Sequence, residues 1–252
     1  MSNSLTLTLK EIDPSTVNAI RRAILSEVPT LAIENVRITE NSSSLYDEII
    51  AHRLGLIPIK TDLKLFNFRE ECKCKGKGCP SCTLELTLDV DGKKEFQTVY
   101  SQSLKSKDPK LKPIEGIPIV RLGKNQKISL EAEAVLGTGE EHAKWQSAVA
   151  GYKYYPIIKI SSKCNMCKEC IDACPLNILK ATKTKITVTD KKLCTLCNSC
   201  AEVCDEDAIS VKGDDRRFIF KIESQGALPP KEIFKTACEI LEEKARELLK
   251  LL

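Results

Sequence analysis

Residues Ser4 to Leu9 alternate polar and apolar with period two, which predicts a half-buried strand. The period then changes. Asp13 serves as an N-cap with Pro14 at the first helical position, and Val17, Ile20, Ile24 and Val28 fall on one helical face until Pro29 stops it. From Leu31 to Thr39 alternation returns only in part, through Ile33, Val36 and Ile38, so the chain opens strand, helix, strand. Asp47 to Gly55 predicts a short helix stopped by that glycine, followed by an extended segment set by Pro58. Strands are expected at 84 to 90 and 128 to 136, with a Pro- and Lys-rich loop from Lys105 to Pro118 between them. Pro156 to Ile160 is extended, Arg217 to Glu223 alternates as a strand, and Gln225-Gly226 makes a turn. From Pro230, Phe234, Cys238, Leu241, Ala245, Leu248 and Leu252 recur at four-three spacing. With Ile233, Ala237, Ile240 and Leu249 they form an apolar face on a helix of about 34 Å, wider than burial in its own core requires. Cys238 on that face reads as a small core residue rather than a ligand. The fold class is α+β.

Composition narrows the class. A chain of 252 residues with 42% hydrophobic and 29% charged residues is globular, and its length suits two or three domains. No run approaches the roughly 18 apolar residues of a membrane span, and the start Met1-Ser-Asn-Ser-Leu-Thr lacks the basic and apolar parts of a signal peptide, so a cytoplasmic location is expected. The 39 basic residues are nearly matched by 35 acidic ones and form no long basic run, so direct sequence readout of DNA is not expected.

The chemistry lies in the cysteines. Eight of thirteen form two runs of C-x2-C-x2-C-x3-C, Cys164, Cys167, Cys170, Cys174 and, thirty residues on, Cys194, Cys197, Cys200, Cys204. This is the bacterial-type iron-sulfur signature, in which the fourth cysteine of each run serves the other cluster. Three thiolates on a tight loop can close around three corners of a cube while the fourth, on a following helical turn, points to a second. One cluster would thus take Cys174, Cys194, Cys197 and Cys200, and the other Cys164, Cys167, Cys170 and Cys204; one or two clusters of 4Fe-4S type are expected. The runs align without a gap from Cys164 to Lys180 and from Cys194 to Ser210, with Ile178-Leu179 and Ala208-Ile209 as the packing residues of each half. The copies differ after the fourth cysteine: Pro175 follows Cys174, but Asp205, Glu206 and Asp207 follow Cys204. A separate group, Cys72, Cys74, Cys79 and Cys82 among lysines and glycines, has knuckle spacing for tetrahedral zinc, with an empty reduced loop or two disulfides as the other readings.

Other motifs count against catalysis. The chain lacks G-x4-G-K-[ST], H-E-x-x-H, G-x-S-x-G and any Asp-x-Asp-x-Asp run. His52 and His142 have no ligand partner at motif spacing, and Trp145 and Tyr152, Tyr154 and Tyr155 read as core or interface rather than base-stacking residues. An electron-transfer subunit of an oxidoreductase is the alternative that the cluster motif alone would allow, but no flavin or nicotinamide motif accompanies it. A domain of about 50 residues has little core of its own, which favours a structural role for the clusters.

Two long blocks carry a resemblance. Asn18-Ala-Ile-Arg-Arg22 to Pro29 with Asp47-Glu-x-x-Ala-His52-Arg53-Leu-Gly55-Leu-Ile-Pro58, and Leu122 to Gly137 with Gly139, His142, Lys144 and Trp145, resemble the family of archaeal RNA polymerase D subunits, relatives of bacterial alpha and of the third-largest subunit of eukaryotic RNA polymerase II. The resemblance implies a discontinuous dimerisation domain from residues 1 to 40 and 214 to 252, an inserted domain from 41 to 160 with a zinc loop like that of the eukaryotic relatives, and a ferredoxin-like module from 161 to 213. It further implies a non-catalytic platform that pairs with the alpha-like subunit L, contacts subunit N and assembles the two largest subunits. Pairing would bury the faces of Val17 to Val28 and Phe234 to Leu252, and Arg21 and Arg22 are the candidates for a charged contact to a large subunit.

Overall fold

A computed structural model describes residues 3–108 and 110–251; Leu252, counted in the last apolar face, lies outside them. The chain is mixed α and β and divides into two compact units, one comprising the residues up to Leu5, Ala19–Ala150 and Ile222 onward, the other Thr6–Asn18 and Gly151–Lys221.

The first unit is built on an antiparallel sheet in the order β2 (Thr30–Asn41), β7 (Lys127–Gly137), β3 (Leu84–Asp91), β5 (Lys105–Ser106). Its register places Leu84 opposite Ala134, Leu86 opposite Ala132 and Leu88 opposite Leu130, so the alternating residues of both strands share one buried face. The imperfect alternation of β2 has a cause. Ile33 pairs with Ala134 but Asn35 with Glu133, leaving Glu34 as a bulge that brings Val36 back to the apolar face opposite Ala132. Against this face packs α2 (Asp47–Gly55) through Ile50 and Leu54, together with Ile57 and Ile59. The antiparallel pair of β4 (Gln97–Tyr100) and β6 (Pro118–Leu122) adds Val99, Ile119, Val120 and Leu122 to the same core. Arg53 ties α2 to β6 by donating from Nη1 to the carbonyl of Ile119 at 2.8 Å.

Two local expectations change. Gly55 is still helical, and Leu56 caps the helix in the right-handed region, so no left-handed glycine stops α2. The loop expected from 105 to 118 begins with β5, whose residues pair with Leu86 and Thr87.

Helix α1 (Pro14–Ser26) buries the face read from the sequence: Val17, Ile20, Ala23, Ile24 and Val28 are all at most 6% exposed. That corrects the expectation that pairing with a partner covers it, because the chain's own packing already does. Helix α5 (Pro230–Leu251) behaves differently along its length. Ile233 and Ala237 are fully buried and Phe234, Cys238, Ile240 and Leu241 half-buried, whereas every residue from Glu242 to Leu251 is exposed, Leu248 at 60%, Leu249 at 71% and Leu251 at 84%. Lys244 Nζ meets Glu27 at 2.8 Å.

Most of a three-stranded sheet in the order β1 (Ser4–Lys10), β11 (Ile209–Ser224), β8 (Ala148–Ile160) falls in the second unit. Tyr152 lies edge-on to Phe218 at 5.7 Å and stacks on Phe220 at 6.4 Å, Tyr154 leans on Phe218 at 5.1 Å, and Arg217 lies over Tyr155 at 3.7 Å. The tyrosines are thus engaged in packing. From β8 the chain enters the cysteine-rich module, with α3 (Glu169–Asp172), the hairpin of β9 (Leu179–Ala181) and β10 (Ile186–Val188), and α4 (Ser199–Glu202), and leaves it through β11.

Candidate metal centres

The two cysteine runs of the module adopt one backbone shape twice. Met166, Lys168 and Asn177 have positive φ of 64°, 72° and 51°, and their counterparts thirty residues on, Leu196, Asn198 and Asp207, have 62°, 64° and 47°. None of the six is glycine, and side chains as bulky as Met and Leu rarely take this region. Such curls persist only where the surroundings over-determine them, and they concentrate at sites that bind something. In each run two of the curls lie between its first three cysteines and the third follows its fourth, and the single helical turn of α3 or α4 carries the chain on to that fourth cysteine.

The result is two cavities. The first, of about 90 Å³, is lined by Cys164, Cys167, Cys170 and Cys204; the second, of about 20 Å³, by Cys174, Cys194, Cys197 and Cys200. Each therefore gathers three cysteines of one run and the fourth of the other. The thiols in each oppose one another's ionisation. Burial pushes Cys170 up, and negative charge on Cys167, Cys164 and Cys204 adds to it. Burial likewise takes Cys200 up to about 11, helped by Cys174, Cys194 and Cys197. Four thiolates can coexist in such a space only if a cationic group compensates them, which is the electrostatic requirement for an iron-sulfur cluster. The donor set and its enclosure fit that group.

The surroundings of the two cavities differ. Asn165, Glu169, Asp205 and Glu206 share the lining of the first with Ile160 and Ile186. Ile158, Leu176, Ile178, Leu179 and Val211 dominate the second. Around the second cavity the thiols also receive hydrogen bonds: the Leu196 N–H donates to Cys194 Sγ at 3.4 Å and the Ser199 hydroxyl lies 3.5 Å from Cys197 Sγ, lowering the Cys197 pKa. On the first, the Ala208 N–H donates to Cys204 Sγ at 3.3 Å. The acidic side chains of the first lining had a sequence signal in Asp205 and Glu206, but Glu169 had none.

The loop from Cys72 to Cys82 is a different kind of site. Turns closed by the Lys75 N–H on the Cys72 carbonyl at 2.9 Å and the Cys82 N–H on the Cys79 carbonyl at 2.9 Å fold it, and Gly76 and Gly78 supply φ of 78° and 90°. Cys72, Cys74, Cys79 and Cys82 bring their four sulfurs within 4.8 Å of one another, with Cys72–Cys79, Cys74–Cys82 and Cys79–Cys82 at 3.5, 3.6 and 3.8 Å. A tetrahedron with Zn–S bonds of about 2.3 Å has edges of about 3.8 Å. The thiols sort unevenly. At Cys72 a backbone hydrogen bond at Cys74 favours the thiolate, but contact with Cys79, burial and the other sulfurs outweigh it and push the pKa up to about 12. At Cys74 burial is outweighed by hydrogen bonds from Cys82, Cys72 and the Gly78 backbone, which bring it down to about 6.

The remaining candidates go to packing. His142 Nδ1 accepts from the Lys144 N–H at 3.0 Å and its ring meets Trp145 edge-on at 6.5 Å; His52 is exposed on α2. Trp145 is buried, its Nε1 donating to the Val135 carbonyl at 3.2 Å, and it lies so close to β7 that a Cβ on Gly137 would come within 2.4 Å of the ring. Among the described residues no helix is long and apolar enough to cross a membrane.

Comparison with known proteins covers nearly the whole chain. The model of the RNA polymerase Rpb3/Rpb11 dimerisation domain matches residues 6–245. DNA-directed RNA polymerase subunit Rpo3 of Archaeoglobus fulgidus is 45% identical over 97% of this chain and 92% of its own length. The subunits of the same name from Methanosphaera stadtmanae and Methanosarcina mazei are each 42% identical, over 94% and 97% of this chain and 90% and 92% of their own lengths.

Proposed function

The chain belongs to the RNA polymerase Rpb3/Rpb11 dimerisation-domain family, and within it to the archaeal Rpo3 or D subunits, and from that premise we propose a non-catalytic assembly platform of DNA-directed RNA polymerase. The carrying observation is the match along residues 6–245, which takes in the elements on both sides of the cysteine-rich module. The chain pairs with the alpha-like subunit L, contacts subunit N, and in that form receives the two largest subunits, where nucleotidyl transfer takes place. It works in the cytoplasm.

The half of α5 left exposed within the chain is the surface offered to subunit L. Leu248, Leu249 and Leu251 are covered on pairing, and each contributes about 1.5–3 kcal/mol when fully buried. Arg22, exposed on α1, stands ready for a charged contact to a large subunit. The domain organisation that goes with this reading is a dimerisation domain from 1 to 40 and 214 to 252, an inserted domain from 41 to 160 and a ferredoxin-like module from 161 to 213. β2 is shared with the inserted domain, since it pairs with β7 along its length.

Cys174, Cys194, Cys197 and Cys200 hold one 4Fe-4S cluster, Cys164, Cys167, Cys170 and Cys204 a second, and Cys72, Cys74, Cys79 and Cys82 a zinc ion. When bound, these groups supply covalent constraint in place of a larger apolar core. An electron-transfer subunit of an oxidoreductase has no observation in its favour beyond the cysteine spacing. Anaerobic purification of the tagged chain from its own cells tests the proposal. Co-purification of the large subunits with RNA-synthesising activity, with iron, sulfide and zinc in the same sample, is expected; a flavin- or nicotinamide-dependent partner instead would overturn it.

A further inference from the structure

The two cysteine cavities have the same ligands and different walls, and the difference bears on what each does with an electron. A cluster carrying four thiolates is already anionic, and each added electron makes it more so. Fixed negative charge nearby opposes that electron, while hydrogen bonds to the sulfurs favour it. Glu169, Asp205 and Glu206 are on the wall of the first cavity, and among the described residues no Lys or Arg lines either one. The second has no carboxylate on its wall, and its thiols gain the Ser199 hydroxyl and the Leu196 N–H, against the Ala208 N–H at the first. The first cavity is also the larger, at about 90 against 20 Å³, while each has one exposed cysteine, Cys167 at the first and Cys197 at the second.

Resting on the cluster reading above, we infer that the module is built asymmetrically: the carboxylates Glu169, Asp205 and Glu206 make the first-cavity cluster the harder to reduce, while the apolar wall of the second cavity leaves its cluster the easier to reduce. The sequence repeat explains how this came about in structural terms. Pro175 and Leu176 follow the fourth cysteine of the first run and wall the second cavity, whereas Asp205 and Glu206 follow the fourth cysteine of the second run and wall the first. Crossing the fourth ligand thus hands each cavity the residues that trail the other run.

The test is an anaerobic redox titration of the full chain after reconstitution with iron and sulfide, followed by electron paramagnetic resonance. Each cluster takes one electron from dithionite, going from the 2+ to the 1+ core. Two couples are expected. Asp205→Asn with Glu206→Gln should raise the lower couple by at least about tenfold in its reduction equilibrium, which is about 59 mV for one electron, and leave the upper couple in place. Leu176→Asp should lower the upper couple alone. Couples that coincide, or that move together in either variant, would overturn the asymmetry while leaving the clusters themselves established. A chain that takes up no iron and sulfide would reject the cluster reading, and the asymmetry with it.

Discussion

The chain uses four-cysteine groups in two regions, and they carry different shares of the structure around them. The loop from Cys72 to Cys82 lies between Phe66 and Leu84, both members of a core whose 21 buried residues include no cysteine. In the module, three of the nine buried core residues, Cys170, Cys174 and Cys194, are cysteines, and further cysteines, Cys164, Cys200 and Cys204, pack against them. A metal in the loop pins a segment attached to a core that stands without it. In the module the cysteines are themselves part of the core, so a group bound by them would be part of the fold. On the proposed metal sites, the same side chain would give a local fastening in one place and a condition for folding in the other.

The largest effect expected from this contrast is on removing iron. Stripping the module under anaerobic conditions should raise hydrogen exchange between residues 161 and 208 by about a thousandfold or more, equivalent to ~4 kcal/mol. Amides of β3 and β7 should keep their protection. Equal loss in both regions would mean that the sheet core depends on the clusters after all.

A change outside both regions should sharpen the contrast. Leu248→Asp with Leu249→Asp lies on the exposed half of α5. Pairing with subunit L should weaken by about 2–4 kcal/mol, or roughly 30- to 1000-fold. The stability of the chain alone should stay within about 0.5 kcal/mol, and its iron and zinc contents should not move. Gel filtration of the pair and metal analysis of the same fractions read both. Pairing that survives would transfer the interface to another face.

Gly137→Ala works from the other side, on the cysteine-free core. Its Cβ would meet the Trp145 ring at 2.4 Å with β7 behind it, so the strand or the ring must shift, at about 1–3 kcal/mol. Thermal unfolding of the sheet should fall accordingly while iron stays bound. Loss of iron on this substitution would show that the module leans on the sheet for its own stability.

How much of this could be read from residues alone varies with the physics involved. The helical faces were legible because burial follows a 3.6-residue period, and the cysteine runs because ligand spacing is set by bond geometry. What could not be read was where regular pattern is broken for a structural reason. Ile33 and Val36 are three apart, which spoils alternation until the Glu34 bulge is seen. β8 extends well before Pro156, a residue tolerated because this is an edge strand of its sheet. β11 begins at Ile209 rather than near Arg217 and runs through Gly213, where a Cβ would come within 2.7 Å of Tyr154. The apolar face of α1 was legible but its covering was not, since periodicity says that a face is buried and is silent on whether the chain or a partner buries it. At the cysteines, Glu169 could not be assigned to a cavity wall, because that depends on how the short helix α3 is turned.

The smallest expected effect is the one most diagnostic of the loop. Cys74→Ser removes one of the four sulfurs, at a half-buried position and without touching the buried Cys82. With its pKa brought down to about 6, Cys74 offers a thiolate ready to bind metal near neutral pH, so zinc uptake should fall sharply. The sheet should hardly notice. Leu84, Leu86 and Leu88 keep their partners on β7 whether or not the loop is fastened, and the unfolding midpoint of the sheet should shift by no more than ~1 kcal/mol in free energy. The change should instead appear as new cleavage between residues 70 and 82 in limited proteolysis, from which added zinc protects the unsubstituted chain and not the variant. A sheet that melts with the loop would erase the distinction between fastening and core, because it would make Cys72, Cys74, Cys79 and Cys82 as necessary to their unit as the eight cysteines are to the module.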